Sequence, residues 1–134
     1  MVQGKSCASR YATLKTAILA FVLACGAHPP GYEYGKASWY GIEQLRRNHG
    51  RSMSNGQKFD KRKWTAASDR YPLGTVVEVT NLENGRRIVV EITDRGPAAR
   101  LGRLIDLSES AAQALGYRHD GITDVAVMVT KYRH

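Results

Sequence analysis

Thr75-Val76-Val77-Glu78-Val79-Thr80 and Arg87-Ile88-Val89-Val90-Glu91-Ile92-Thr93, with Asn84-Gly85 between them, are the stretch whose pattern decides the fold. Both runs are rich in β-branched residues, which suit a pleated, half-buried surface. Asn-Gly supplies the positive φ angles of a tight hairpin turn, so the runs are predicted to pair antiparallel. Because side chains alternate along a strand, Val77 and Val79 share one face, as do Ile88, Val90 and Ile92 on the partner. Towards the C-terminus, Ser108, Glu109, Ala111, Ala112, Ala114, Leu115 and Gly116 describe a short helix with a hydroxyl N-cap, an acid in the first turn and a closing glycine. Asp124 to Thr130 then alternates, with Val125, Val127 and Val129 inward. Towards the N-terminus, Lys36 to Gly41 reads as a short strand. Residues 42–63 are polar and basic and read as one long loop, a length that is usually functional or mobile. The result is a mainly β domain with one or two short helices, and ~100 residues suffice to close a small barrel.

The chain has 134 residues, enough for one domain. Its 20 Lys and Arg against 12 Asp and Glu give a net charge of +8, which suits a polyanionic partner. Hydrophobic residues at 43% and charged residues at 24% exclude a wholly disordered or collagen-like chain. Lys5, Arg10 and Lys15 precede an apolar run, Ala17 to Ala24, closed by Cys25-Gly26-Ala27. A bilayer span needs ~20 apolar residues, so this run is too short for a permanent transmembrane helix and reads as a secretory signal peptide over residues 1–24. Removing it leaves a net charge of +5, because it carries those three bases and no acid. The two cysteines, Cys7 and Cys25, both lie in or beside the leader, so no disulfide framework is expected. Val22-Leu23-Ala24-Cys25 resembles a bacterial lipobox, which makes Cys25 the lipidation candidate; cleavage after Ala27 is the alternative. Residues 25–34, with Pro29, Pro30 and Gly31, read as a tether, and residues 35–134 as the domain. His28, His49, His119 and His134 are scattered without ligand spacing, so no metal and no cofactor is expected.

Several segments, in order, resemble the rare lipoprotein A family: Gly35 to Gly41, Met53 to Asp60, Trp64 to Ser68 with Pro72-Leu73-Gly74-Thr75, Val79 to Leu82 with Asn84-Gly85-Arg86, Thr93-Asp94-Arg95-Gly96-Pro97, and Arg103 to Ser108. The resemblance implies a six-stranded double-psi β-barrel related in architecture to expansins. It also implies a lytic transglycosylase of the bacterial cell envelope, lipid-anchored and acting on peptidoglycan strands that lack stem peptides, with cell-division proteins as candidate partners. Some relatives carry a glycan-binding SPOR domain, which is not expected within this chain. A nucleic-acid partner rests on charge alone, without a recognition motif, and is not expected.

A lytic transglycosylase cleaves the bond between N-acetylmuramic acid and N-acetylglucosamine without water, so a single carboxyl that first gives and then regains a proton suffices. Asp94 is the candidate, because it ends the second hairpin strand before Arg95-Gly96-Pro97. An Asp in that setting also caps backbone N–H groups, and the two roles are compatible. Asp106 leads into the helix and reads as structural, and Asp60 as a turn residue. Where catalytic relatives commonly have Glu and His, this chain has Gln57 and Ser68, both neutral; Glu43 is a substitute acid. Gln57, Ser68, Arg95, Trp39 and Tyr40 are the expected substrate-binding residues: amide and hydroxyl for sugar hydroxyls, guanidinium for a muramoyl carboxylate, rings for sugar faces. Lys61, Arg62 and Lys63 read as a solvated loop face. A non-catalytic, expansin-like glycan-binding module is the alternative function.

Overall fold

A computed structural model describes residues 31–48, 52–96 and 101–132. The leader, Cys25 and most of the tether lie outside the described residues, as do His28, His49 and His134. The elements are β1 (Tyr32–Tyr40), α1 (Ile42–Asn48), β2 (Thr65–Ala67), β3 (Val76–Asn81), β4 (Arg87–Asp94), β5 (Arg103–Ser108), α2 (Glu109–Leu115) and β6 (Thr123–Lys131). The six strands close into a barrel in the order β1-β5-β2-β4-β3-β6. Two pairs are parallel, β1 with β5 and β2 with β4, and the rest are antiparallel. This is the double-psi arrangement, and closure leaves no strand edge open to a foreign strand.

The predicted hairpin is present, with Val77 opposite Val90 and Val79 opposite Ile88. Val77, Val79, Ile88, Val90 and Ile92 are all buried. Asn84-Gly85 lies between the strands as expected, but of the two only Gly85 takes a positive φ, 74°. The asparagines serve the neighbouring helix instead. Asn81 Nδ2 and Asn84 Nδ2 donate to the Leu115 carbonyl at 3.0 and 2.8 Å, satisfying an acceptor that the end of α2 leaves open. Gly116 closes α2 in the left-handed conformation, as expected. Ser108 stands at the N-cap without making the cap bond. Its Oγ instead donates to the Lys63 carbonyl and accepts from the Thr65 amide, which ties β5 to the start of β2.

Two boundaries differ from the sequence expectation. β1 begins at Tyr32, inside the segment read as tether, because Tyr32 to Gly35 pair with Val125 to Met128 of β6. Ladder bonds, not an apolar run, make it a strand. The loop expected over 42–63 contains α1, a helix with exposed Ile42, Glu43, Gln44 and Arg47 and therefore no apolar period to read. Glu43 in its first turn suits the positive end of the helix dipole. Further on, Ser52 bridges Lys58 in a small hairpin.

The core fills the barrel with Ala37, Val77, Val79, Val90, Ile92, Ile105, Leu107, Val125 and Val127, roofed by Ala111, Ala112 and Leu115 of α2. Val129, expected inward, is half-buried near the strand end. Tyr117 is fully buried and donates its hydroxyl to the Ser38 carbonyl at 2.8 Å. Among the described residues no helix is long and apolar enough to cross a membrane.

Candidate active site

Ala67 on β2 is the centre of the site. It pairs with Asp94 of β4 on one side and Asp106 of β5 on the other. Strand alternation accounts for Asp106: Ile105 and Leu107 fill the core, so the residue between them faces outward. Asp94 needs an irregularity. The β2–β4 register runs Ala66 to Ile92 and then Ala67 to Asp94, skipping Thr93. Such a bulge re-aims a side chain, and here it brings Asp94 to the outer face although Ile92, two residues earlier, points inward. The backbones of the two acids are thus two strand spacings apart, ~10 Å.

Asp94 is 5% exposed. Its Oδ1 accepts from the Ser54 amide at 3.1 Å, the Arg95 amide at 2.8 Å and the Ser54 hydroxyl. All three donors converge on this one oxygen. The capping role expected from the Gly-Pro turn is therefore present, and it orients the acid. Ser54 itself is placed by the Ser52–Lys58 hairpin, which is pinned over the end of β4: the Asn55 amide donates to the Thr93 carbonyl, and the Thr93 hydroxyl to Met53 Sδ.

Asp106, read from sequence as structural, lies in the same cluster and is 7% exposed. Arg103 Nη2 donates to its Oδ2 at 3.2 Å, while Arg103 Nε sits 2.9 Å from Oδ1 without hydrogen-bond alignment. Burial raises its carboxyl above the usual range, and the opposing pull of Arg103 and Ser38 does not cancel that. A raised acid binds its proton more readily when folded than when unfolded, so the folded state loses stability as pH rises from the ordinary carboxyl value through the raised one. Thermal melts across that interval are expected to show this decline, at most about 1.4 kcal/mol per pH unit, and Asp106→Asn should flatten it. An unchanged slope in the variant would show that another group titrates there.

Tyr40, at the end of β1, lies near enough to both acids to feel their charges. Its hydroxyl lies 3.2 Å from Thr65 Oγ1, and its ring packs on Phe59 at 5.6 Å and on Ala67. Burial pushes the phenol up to about 12, opposed by the Thr65 hydrogen bond and reinforced by the Asp94 and Asp106 charges. Tyr40 is therefore a neutral wall. The expected pair of stacking rings splits, because neighbours on a strand face opposite ways. Trp39 packs towards the barrel core, its Nε1 donating to the Arg118 carbonyl at 3.0 Å and its face covered by the Arg118 guanidinium.

The structure keeps Gln57 and Arg95 at the site and takes Ser68 away. Gln57 is exposed on the Ser54 hairpin, where its Oε1 accepts from Asn55 Nδ2 at 3.3 Å. The Arg95 side chain is exposed directly after Asp94. Ser68 is fully buried; its hydroxyl donates to the Leu104 carbonyl and accepts from the Arg70 amide, so it presents no surface to a ligand. Glu43 is exposed on α1. Asp60 is the turn residue expected, accepting from the Arg62 amide and guanidinium. His119 is exposed, and among the described residues no group of three His, Cys, Asp or Glu is arranged to hold a metal. Ser54 and Thr93 were missed, although the turn chemistry of Ser54-Asn55-Gly56 was a legible signal.

Residues 32–127 match the family described as lytic transglycolase, a stretch that runs from the start of β1 into β6 and includes both acids. The chain belongs to the lytic transglycolase family. This lytic transglycolase barrel is 42% identical over 106 residues to the "Probable endolytic peptidoglycan transglycosylase RlpA" of Aquifex aeolicus, covering 76% of this chain and 45% of that relative. It is 43% identical over 103 residues to the endolytic peptidoglycan transglycosylase RlpA of Vibrio cholerae, covering 76% of this chain and 37% of that one. The lytic transglycolase chain thus spans less than half the length of these relatives. An expansin of Clavibacter michiganensis has the same fold, with a TM-score of 0.54 at 21% identity over 77% of this chain and 52% of that one.

Proposed function

We propose that this domain is a peptidoglycan lytic transglycosylase that cleaves the MurNAc-β-1,4-GlcNAc bond and leaves 1,6-anhydro-MurNAc ends. The observation that carries the reading is the bulge that presents Asp94, its Oδ1 held by three donors that orient the carboxyl. Family membership and the names of the relatives support the same chemistry. Protonated Asp94 gives its proton to the glycosidic oxygen as the bond to the anomeric carbon breaks. The muramoyl 6-hydroxyl then bonds to that carbon, and its proton returns to Asp94. No water enters, and the acid ends as it began. Asp106, a strand away, adds negative charge facing the oxocarbenium-like centre. Arg95 binds a lactyl carboxylate and Gln57 a sugar hydroxyl. Naked glycan strands are the substrate, the cell envelope is the location, and a lipid on Cys25 is the anchor; palmitate labelling lost in Cys25→Ala tests the last.

Digestion of stem-peptide-free glycan with the protein, followed by mass spectrometry, is expected to reveal anhydro-muramoyl ends. The neutral Gln57 favours a second reading, a glycan-binding module without turnover. Gln57→Glu distinguishes them, because its exposed hairpin position accepts a carboxylate without burial. We expect it to raise the rate ~10²-fold or more, the low end of what a positioned acid or base contributes. Binding without anhydro ends in both wild type and variant would establish the binding module.

A further inference from the structure

The turn between the Ser54 hairpin and β2 has no part in the chemistry above. It leaves the site at Phe59, whose ring packs on Tyr40, and returns at Thr65, whose hydroxyl meets the Tyr40 hydroxyl. Both ends are therefore fixed to Tyr40, the neutral wall beside the two acids. Between them the turn is rigid. Asp60 accepts from Arg62, the Lys63 amide donates to the Asp60 carbonyl, and Ser108 and Ser110 donate to the Lys63 carbonyl at 3.0 and 3.1 Å. What this braced turn offers to solvent is unusual for a solvated loop. Trp64 is 47% exposed, and Lys61 and Lys63 are exposed beside it, while the Arg62 charge is matched by Asp60.

An exposed indole on a rigid mount loses little entropy on stacking, and an ammonium beside it attracts a carboxylate. Trp64 immediately precedes β2, three residues before Ala67 and at most ~10 Å away at strand rise, and Arg95 follows Asp94, the partner of Ala67 in the parallel register. The bond-breaking acid is thus flanked by two cationic spots, one beyond each end of the short central strand. A glycan strand stripped of peptides is a polyanion of this kind: it carries a free carboxylate on every second sugar.

We propose that Lys61, Lys63 and Trp64 form a second binding subsite that takes an anionic sugar of the same glycan strand, Trp64 stacking on the ring and the lysines pairing with its carboxylate. This rests on the proposed substrate and adds how the strand is recognised away from the cleaved bond. It gives the two parts of the subsite different signatures, because stacking is indifferent to charge and the ammonium groups are not.

The test measures binding of the full chain to stem-peptide-free glycan strands and to chitooligosaccharides, which have a related backbone without carboxylates. Trp64→Ala is expected to weaken both by roughly 5- to 10-fold, with Trp64→Tyr restoring most of it. Lys61→Ala combined with Lys63→Ala is expected to weaken the carboxylated strand about 5-fold or more at low salt, to spare the neutral oligosaccharide, and to lose its effect at high salt. Since all three side chains are exposed, melting curves should match the wild type. Wild-type binding with no loss in either variant overturns the subsite alone. Equal loss on both ligands in the double-lysine variant overturns the carboxylate assignment. Tighter capture of single-stranded DNA than of glycan through these residues overturns the ligand class, and failure of the wild type to bind either sugar overturns both the subsite and the function on which it rests.

Discussion

Asp94→Asn is expected to reduce release of anhydro-muramoyl ends by ~10²- to 10⁴-fold, the contribution of a positioned general acid, while leaving glycan binding and folding in place. Asn is nearly the same size and keeps an oxygen where Oδ1 receives the Ser54 and Arg95 amides. It loses the exchangeable proton and the charge assistance of those bonds, a stability cost of about 1 kcal/mol. Asp94→Ala differs, because it leaves the part-buried Ser54 and Arg95 donors without this acceptor, at about 1–3 kcal/mol, and it should melt measurably earlier. Product analysis beside thermal denaturation separates the roles. Wild-type rates from Asp94→Asn would remove the residue from the chemistry, whereas an unfolded Asp94→Asn protein would make capping its dominant function.

Leu107→Ala is expected to destabilise the barrel by about 2–5 kcal/mol, and at ~4–8 °C per kcal/mol for a domain of this size to lower the melting temperature by roughly 8–40 °C. Leu107 is fully buried and stands opposite Trp39 of β1 in a parallel pair and Ala66 of β2 in an antiparallel one. Shortening it opens a cavity where the two pairings meet, directly beside Asp106. Val89→Ala, on a strand but half exposed, should stay within about 0.5 kcal/mol of wild type. Similar melting of the two variants would show that the barrel centre collapses to fill the space.

The parts of the fold legible in the sequence were those with a period or a cap. The β3–β4 hairpin, β6 and α2 each bury a regular set of apolar residues, and the glycine after α2 marks its end. α1 escaped because five of its seven residues, Ile42 to Asn48, are polar or charged. The first residues of β1 escaped because backbone pairing with β6 holds them. At the site, Asp94 stood out from its place before a Gly-Pro turn, but the register skip at Thr93 that turns it outward depends on β2, far away in the chain. Ser68 shows the reverse error: its position suggested a ligand contact, and only its bonds to Leu104 and Arg70 reveal a buried strut. Asp106 looked like the entry to a helix, and burial beside Ala67 made it part of the site.

The two parallel pairings set when the chemistry can begin. Tyr40, Ser54, Ala67, Asp94 and Asp106 come from widely separated parts of the chain and meet only when β1 has found β5 and β2 has found β4. Such distant pairings form slowly, after long loops have closed. A nascent or unfolded chain therefore carries none of the site, and the proposed cleavage waits until these strands are paired. For a protein proposed to cut the wall that encloses the cell, the order of folding acts as a safety catch that needs no inhibitor.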